Sequence, residues 1–271
     1  IDVIADPEVQ VQSIVFRYGL STSFPPEVHR EISSASFVVS GDEIASRTDL
    51  RGLPIVTIDG ERARDFDDAV YVRKTDAGYE LYVCIADVAY YVRPATALDQ
   101  EAYSRGTSVY FPDRAIPMLP EALSNGICSL NPHEDRLTKT ACIEYSAKGE
   151  VIATRFFNSV IRSRERMTYT DVRRILVDRD PATIERYADL APQFALMEEL
   201  TLLILEKRKA RGNLDFDLPE AEIILDIQGV PEDIIRAERN IAHRIIEEFM
   251  IAANEAGARH LTAKELPGLY R

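Results

Sequence analysis

The chain has 271 residues, 46% of them hydrophobic, enough for the core of one large domain or two small ones. It carries 45 acidic against 32 basic residues, a net charge of −13, which argues against a uniformly basic face for phosphate backbones and directs attention to where the charges cluster. No stretch of about 18 apolar residues is present, so no membrane-spanning helix is expected, and the acidic first ten residues lack the order of a signal peptide.

Residues 1–50 read as an entry segment. "VQSIVFRYGL" is largely apolar, and "FPPEVHREI" reads as a turn and a short helix started by Pro25 and Pro26. "GLPIVTID" is a short β-rich run ending on Asp59. "DAVYVRK" and "YELYVCIADVAYYV" are β-branched and aromatic runs on either side of Asp76-Ala77-Gly78, a hairpin turn. "TSVYFP", "TKTACIEYSA" and "EVIATRFFNSVI" predict further strands, the last two joined at Ala147-Lys148-Gly149.

Helical periodicity follows. "PQFALMEELTLLILEKRKARG" places Phe194, Met197, Leu200, Leu203 and Ile204 on one face, and Gly212 ends it. "AEIILDI" predicts a short strand. "IIRAERNIAHRIIEEFMIAANEAGARHL" predicts a second long helix with Ile241, Ile245, Phe249 and Ala252 inward. Strands first and helices later predict an α+β fold rather than a doubly wound parallel sheet. The three cysteines, Cys84, Cys128 and Cys142, are odd in number and show no CxxC spacing, as expected of reduced core thiols in a cytoplasmic protein.

The stretch "IDGERARDFDDAV", residues 58–70, packs Asp59, Asp65, Asp67 and Asp68 into ten positions between two β-runs. Two unit charges about 4 Å apart repel by roughly 4 kcal/mol at an effective dielectric of 20. Four such groups need solvent or cations, and hard oxygen donors suit Mg²⁺ or Mn²⁺. Two divalent ions would balance four carboxylates and are a usual device for phosphodiester cleavage. In extended chain Asp65 and Asp67 share a side and Asp68 opposes them, so a bend at Asp67-Asp68 is needed for all to meet Asp59. A solvated acidic loop is the bland alternative; an EF-hand is excluded by spacing.

Other features are weaker. His243 and Glu247 lie four apart on one helix face, but no HExxH pattern supports zinc. Arg162, Arg164, Arg166, Arg173 and Arg174 form one basic run and Lys207, Arg208, Lys209 and Arg211 another, either solvated faces or phosphate contacts. No Walker or Rossmann glycine pattern is present.

"TIDGERARDFDDAVYV" resembles the catalytic signature of the ribonuclease II / ribonuclease R (RNB) family of exoribonucleases. The likeness continues through "YYVRP", "RGTSVYFPDRAIPMLPEALSNGICSLNP", "DRLT", "LDFDLPEAEI" and "IEEFMIAAN", and is stronger to the ribonuclease R branch. It implies a catalytic domain from about Asp49 onward, with a twisted, mainly antiparallel sheet packed against helices. Residues 1–48 are then the end of a cold-shock (OB-like) domain and its linker. The implied activity is processive 3′→5′ hydrolysis of single-stranded RNA to nucleoside 5′-monophosphates, by a monomer.

The resemblance also assigns roles. Asp59, Asp67 and Asp68 would be metal ligands, Asp65 would support the metals or the attacking water, and Asp67 would tolerate loss least. Tyr110 would stack on the 3′-terminal base, Phe216 on another base, and Glu247 would lie near the 3′ nucleotide. The family's later Ser- and Arg-rich motif, which supplies an arginine for the scissile phosphate, and its S1 domain are not in the sequence, so they are expected elsewhere in a parent protein. A catalytically dead RNA-binding relative, or a truncated inactive piece, is the rival reading.

Overall fold

The structure is a computed structural model describing residues 7–34, 38–213, 221–226, 231–236 and 239–269. In chain order the strands are β1 (Thr48–Asp49), β2 (Val56–Asp59), β3 (Asp68–Thr75), β4 (Gly78–Ala86), β5 (Val109–Tyr110), β6 (Ala115–Ile116), β7 (Asp135–Ser146), β8 (Val151–Arg162), β9 (Glu165–Thr168), β10 (Ala221–Leu225) and β11 (Pro231–Arg236). The α-helices are α1 (Pro7–Arg17), α2 (Pro26–Ser34), α3 (Gly41–Ser46), α4 (Val88–Tyr91), α5 (Ala97–Arg105), α6 (Tyr169–Arg173), α7 (Pro181–Arg186), α8 (Ala191–Ala210) and α9 (Ile241–Ala263).

The chain divides into two units. The larger takes Val38–Asp87, Cys128–Phe216 and Arg239–Arg271. Its seven-stranded sheet runs β1-β8-β7-β4-β3-β2-β9. All pairings are antiparallel except β1 with β8 and β2 with β9, so the expected mainly antiparallel α+β sheet is what forms. Both expected hairpins close. In the first, Thr75 pairs with Gly78, which holds φ 148°; a Cβ there would stand 2.3 Å from the Tyr145 carbonyl oxygen, so glycine is required. In the second, Gly149 takes φ 74°.

Alternate residues of the strands fill one face of the sheet: Val70 and Val72, then Leu81 and Val83, then Ala141, Ile143 and Tyr145. Phe194, Met197, Leu200 and Ile204 of α8 and Ile245 and Phe249 of α9 join the same core. Phe194, Met197, Leu200, Ile245 and Phe249 are fully buried, each worth about 1.5–3 kcal/mol against exposure. Leu203, Ile241 and Ala252 pack at its margin.

Two stretches differ from the expectation. The β-run read through "YELYVCIADVAYYV" ends at Ala86, and Val88–Tyr91 is the helix α4. The helix read from Ile234 begins only at Ile241, and Pro231–Arg236 is β11. The reason is local: Ile234 and Ile235 pair with Ile223 and Glu222 across a hairpin, while the Asn240 side chain accepts from Ala242 N at 2.9 Å and caps α9.

At the β1–β8 edge, four charged groups are interlocked. Arg51 donates from Nε and Nη2 to Asp49 at 2.9 and 2.7 Å and from Nη1 to Asp135 at 3.0 Å. Arg162 Nε reaches Asp135 at 2.8 Å. The three cysteines are buried and free.

The second unit takes Ile1–Phe37, Val88–Ile127 and Asp217–Glu238. Within it Glu31 accepts from Leu98 N at 3.0 Å, and Arg105 donates to the carbonyls of Ser21, Ser23 and Pro117 while lying 3.9 Å over the Phe24 ring. The regular elements among the described residues 7–46 are α1, α2 and α3.

Candidate active site

β2 ends on Asp59 and β3 begins on Asp68. The two strands run antiparallel with Val56 opposite Val70, so the end of one lies beside the start of the other. Asp68 enters the ladder opposite Ile85, and the carbonyl of Asp67 just before it accepts from Ala86 N at 2.9 Å. The four aspartates therefore meet at one mouth of the sheet.

Their electrostatics record the meeting. Burial, then the charges of Asp68, Asp65 and Asp67, push Asp59 up to about 7. Burial and Asp67 push Asp68 up to about 6. Partial desolvation and Asp65 raise Asp67, whose side chain is the most open of the four. The Oδ2 atom of Asp68 is buried with no hydrogen-bond partner. An unpartnered carboxylate oxygen in such a place costs free energy unless a guest satisfies it.

Hard oxygen donors, accumulated negative charge and an orphaned oxygen fit a divalent cation in kind. Among the described residues, however, no three His, Cys, Asp or Glu side chains are drawn together closely enough to hold an ion as they stand.

A second layer surrounds the acids. Tyr169 opens α6, stacks on His243 at 3.9 Å between ring centroids, and is pushed up to about 12 by burial and then by Asp59 and Asp68. Arg166 of β9 donates from Nη2 to the carbonyls of Gly60 and Glu61, both at 2.7 Å. Thr170 Oγ1 donates to the Glu61 carboxylate. Ser129 Oγ donates to Arg64 O at 2.8 Å and accepts from Phe66 N at 3.0 Å.

The other candidates fare differently. His243 is occupied by its stack on Tyr169 and by the cap with Asn240, and Glu247 pairs with Arg239 at 2.6 Å, so the two form no metal pair. Tyr110 sits on β5 in the second unit, 69% exposed. Phe216 lies outside the described residues. Most of the basic candidates are committed to ion pairs: Arg162 with Asp135, Arg164 with Asp189, Arg174 with Asp171, Lys207 with Glu150, and Arg208 with the buried Glu248.

Sequence reading passed over Tyr169, Thr170 and Ser129. Each reaches the acidic stretch from 60 or more positions away along the chain, so no local spacing marks it.

Residues 47–271 match the RNB domain. Ribonuclease R of Aquifex aeolicus is 45% identical over the whole of this chain, which covers 39% of that protein. Ribonuclease R of Escherichia coli K12 is 45% identical over 92% of this chain, covering 30% of that protein. The solved structure of Mycoplasma genitalium RNase R in complex with double-stranded RNA aligns with a TM-score of 0.88 at 30% identity, over 96% of this chain and 46% of that one. The chain thus spans less than half the length of each of these relatives, and by its RNB domain it belongs to the RNB family.

Proposed function

We propose that this chain is the catalytic core of an exoribonuclease that degrades single-stranded RNA from the 3′ end to nucleoside 5′-monophosphates, processively and with two divalent cations, Mg²⁺ or Mn²⁺. The observation that carries the reading is the convergence of Asp59, Asp65, Asp67 and Asp68 at one sheet mouth with a buried, unpartnered Asp68 oxygen. The 45% identity to ribonuclease R supports RNA as the substrate.

In this reading Asp59 and Asp68 hold the cations from the rigid ends of β2 and β3, and Asp67 does so from the open side where a phosphate would arrive. Asp65 supports the set or orients water. Bound divalent cations supply charge neutralisation and a more acidic water for phosphodiester hydrolysis. Tyr110 and Phe216 stack bases, which is tolerant of sequence because every base has a π-face. Glu247 lies near the 3′ nucleotide.

The rival reading, an RNA-binding relative without chemistry, draws on the one observation that the ligand side chains stand apart as they are. A denaturing gel of 5′-labelled single-stranded RNA decides. With Mg²⁺ the RNA shortens from its 3′ end, EDTA stops it, and Asp67→Asn lowers the rate by about 10³-fold while RNA binding persists. An Asp67→Asn rate equal to wild type overturns the proposal.

A further inference from the structure

The loop at residues 60–67 carries two of the four aspartates and has no regular structure beyond a turn at 61–62. It is held from outside. Ser129 and Leu130 fasten its far end at Arg64 and Phe66. Arg166 fastens its near end at Gly60 and Glu61.

Arg166 differs from its neighbours in the basic run. Arg162, Arg164, Arg173 and Arg174 each face a carboxylate in an ion pair. Arg166 places its guanidinium on two backbone carbonyls, 5.5 Å from the Phe66 ring centroid, with Nε buried and unpartnered. One group therefore touches both ends of the loop. Its strand, β9, is registered on β2 with Thr57 opposite Arg166, so the clasp is anchored to the strand that ends on Asp59.

We propose that Arg166 is a positioning residue for the acidic site: it fixes the Gly60–Glu61 end of the loop so that Asp65 and Asp67 meet Asp59 and Asp68, and it keeps a positive charge beside them. The inference rests on the reading of the cluster as a cation site. The clasp uses two features at once: Nη2 spans the Gly60 and Glu61 carbonyls while the planar, permanently charged guanidinium lies over the Phe66 ring.

Two measurements on the full chain test it. Hydrogen exchange in EDTA reads the loop itself: Arg166→Ala should speed exchange of the amides at 61–66 about tenfold. Calorimetric titration with Mn²⁺ reads the consequence: the same variant should bind about tenfold more weakly. Arg166→Lys keeps the charge without the planar group that spans the Phe66 ring, so it should leave exchange fast while recovering part of the affinity. Thr170→Val, which removes the exposed tether to Glu61, gives the same signs with smaller changes and serves if Arg166→Ala does not fold. Unchanged exchange overturns the proposal, and so does faster exchange with unchanged Mn²⁺ affinity. If wild type takes no Mn²⁺, the cation reading fails, and the exchange rates alone decide whether Arg166 holds the loop.

Discussion

The two edges of the large sheet treat the same residue type in opposite ways. At the β1–β8 edge, Asp49 and Asp135 are gripped by Arg51 and Arg162. Hydrogen bonds from Arg51 hold Asp49 down at about 2, and Asp135, although partly desolvated, is lowered by its two arginines. Near the other edge, Asp59 and Asp68 have other aspartates for neighbours and are pushed up to about 7 and about 6. The first arrangement is complete within the chain. The second sets like charges against one another, with Arg166 near Asp59 and one Asp68 oxygen buried without a hydrogen-bond partner.

The widest gap between the two regions is chemical. Asp67→Asn should cost about 10³-fold in hydrolysis, whereas Asp135→Asn should leave the rate per folded molecule unchanged; a gel assay of both variants breaks the comparison if they behave alike. Cation binding comes next. At 100 times its dissociation constant, Mn²⁺ should stabilise the chain by about 2.7 kcal/mol. Calorimetric melting at pH 8 reads this, and Asp68→Asn should abolish most of it.

In EDTA the two regions should give stability effects of opposite sign. Asp68→Asn removes a repelled charge and should raise stability at pH 8 by about 1–2 kcal/mol, discounted for partial solvent exposure. Asp135→Asn removes a clasped one and should lower stability by about 1 kcal/mol. The pH profile follows the same signs. The folded-state values of Asp59 and Asp68 lie above their usual 3.8, so the metal-free chain gains stability as pH falls from 8 through about 7 and about 6. Asp49 and Asp135 are depressed, so their contribution is present above the ordinary aspartate value and lost as pH falls below it towards about 2. A denaturant-midpoint series in EDTA should peak between these limits; a profile that rises steadily from pH 5 to 8 contradicts the crowding of the acids. The smallest effect is a control outside both regions: Asn240→Ala removes the α9 cap and should cost about 1 kcal/mol by melting, with either charge pattern intact.

What was legible in the sequence was what local pattern encodes. Period-two runs marked β3, β4, β7 and β8, turn residues marked both hairpins, and the Phe194–Met197–Leu200 spacing marked the buried face of α8. The four aspartates were visible because their crowding is improbable without a reason. The partners of that cluster were not visible, because Ser129, Arg166 and Thr170 arrive through sheet order rather than spacing. Two stretches were misread: Val88–Tyr91 is β-rich on paper but forms the helix α4, and Ile234 and Ile235 continue a helical pattern on paper yet pair with another strand in space.

The parallel pairing of β2 with β9 sets a timetable for biosynthesis. Asp59 lies opposite Thr168, so the strand bearing the first aspartate waits for a partner made long after it. At roughly 5–20 residues per second, that partner leaves the ribosome roughly 5–20 seconds later. Until then the acidic loop has neither the Arg166 clasp nor the edge strand beside it. The nascent chain thus passes through synthesis of β3, β4, β7 and β8 before β9 can clasp the acidic loop and close the sheet's last edge.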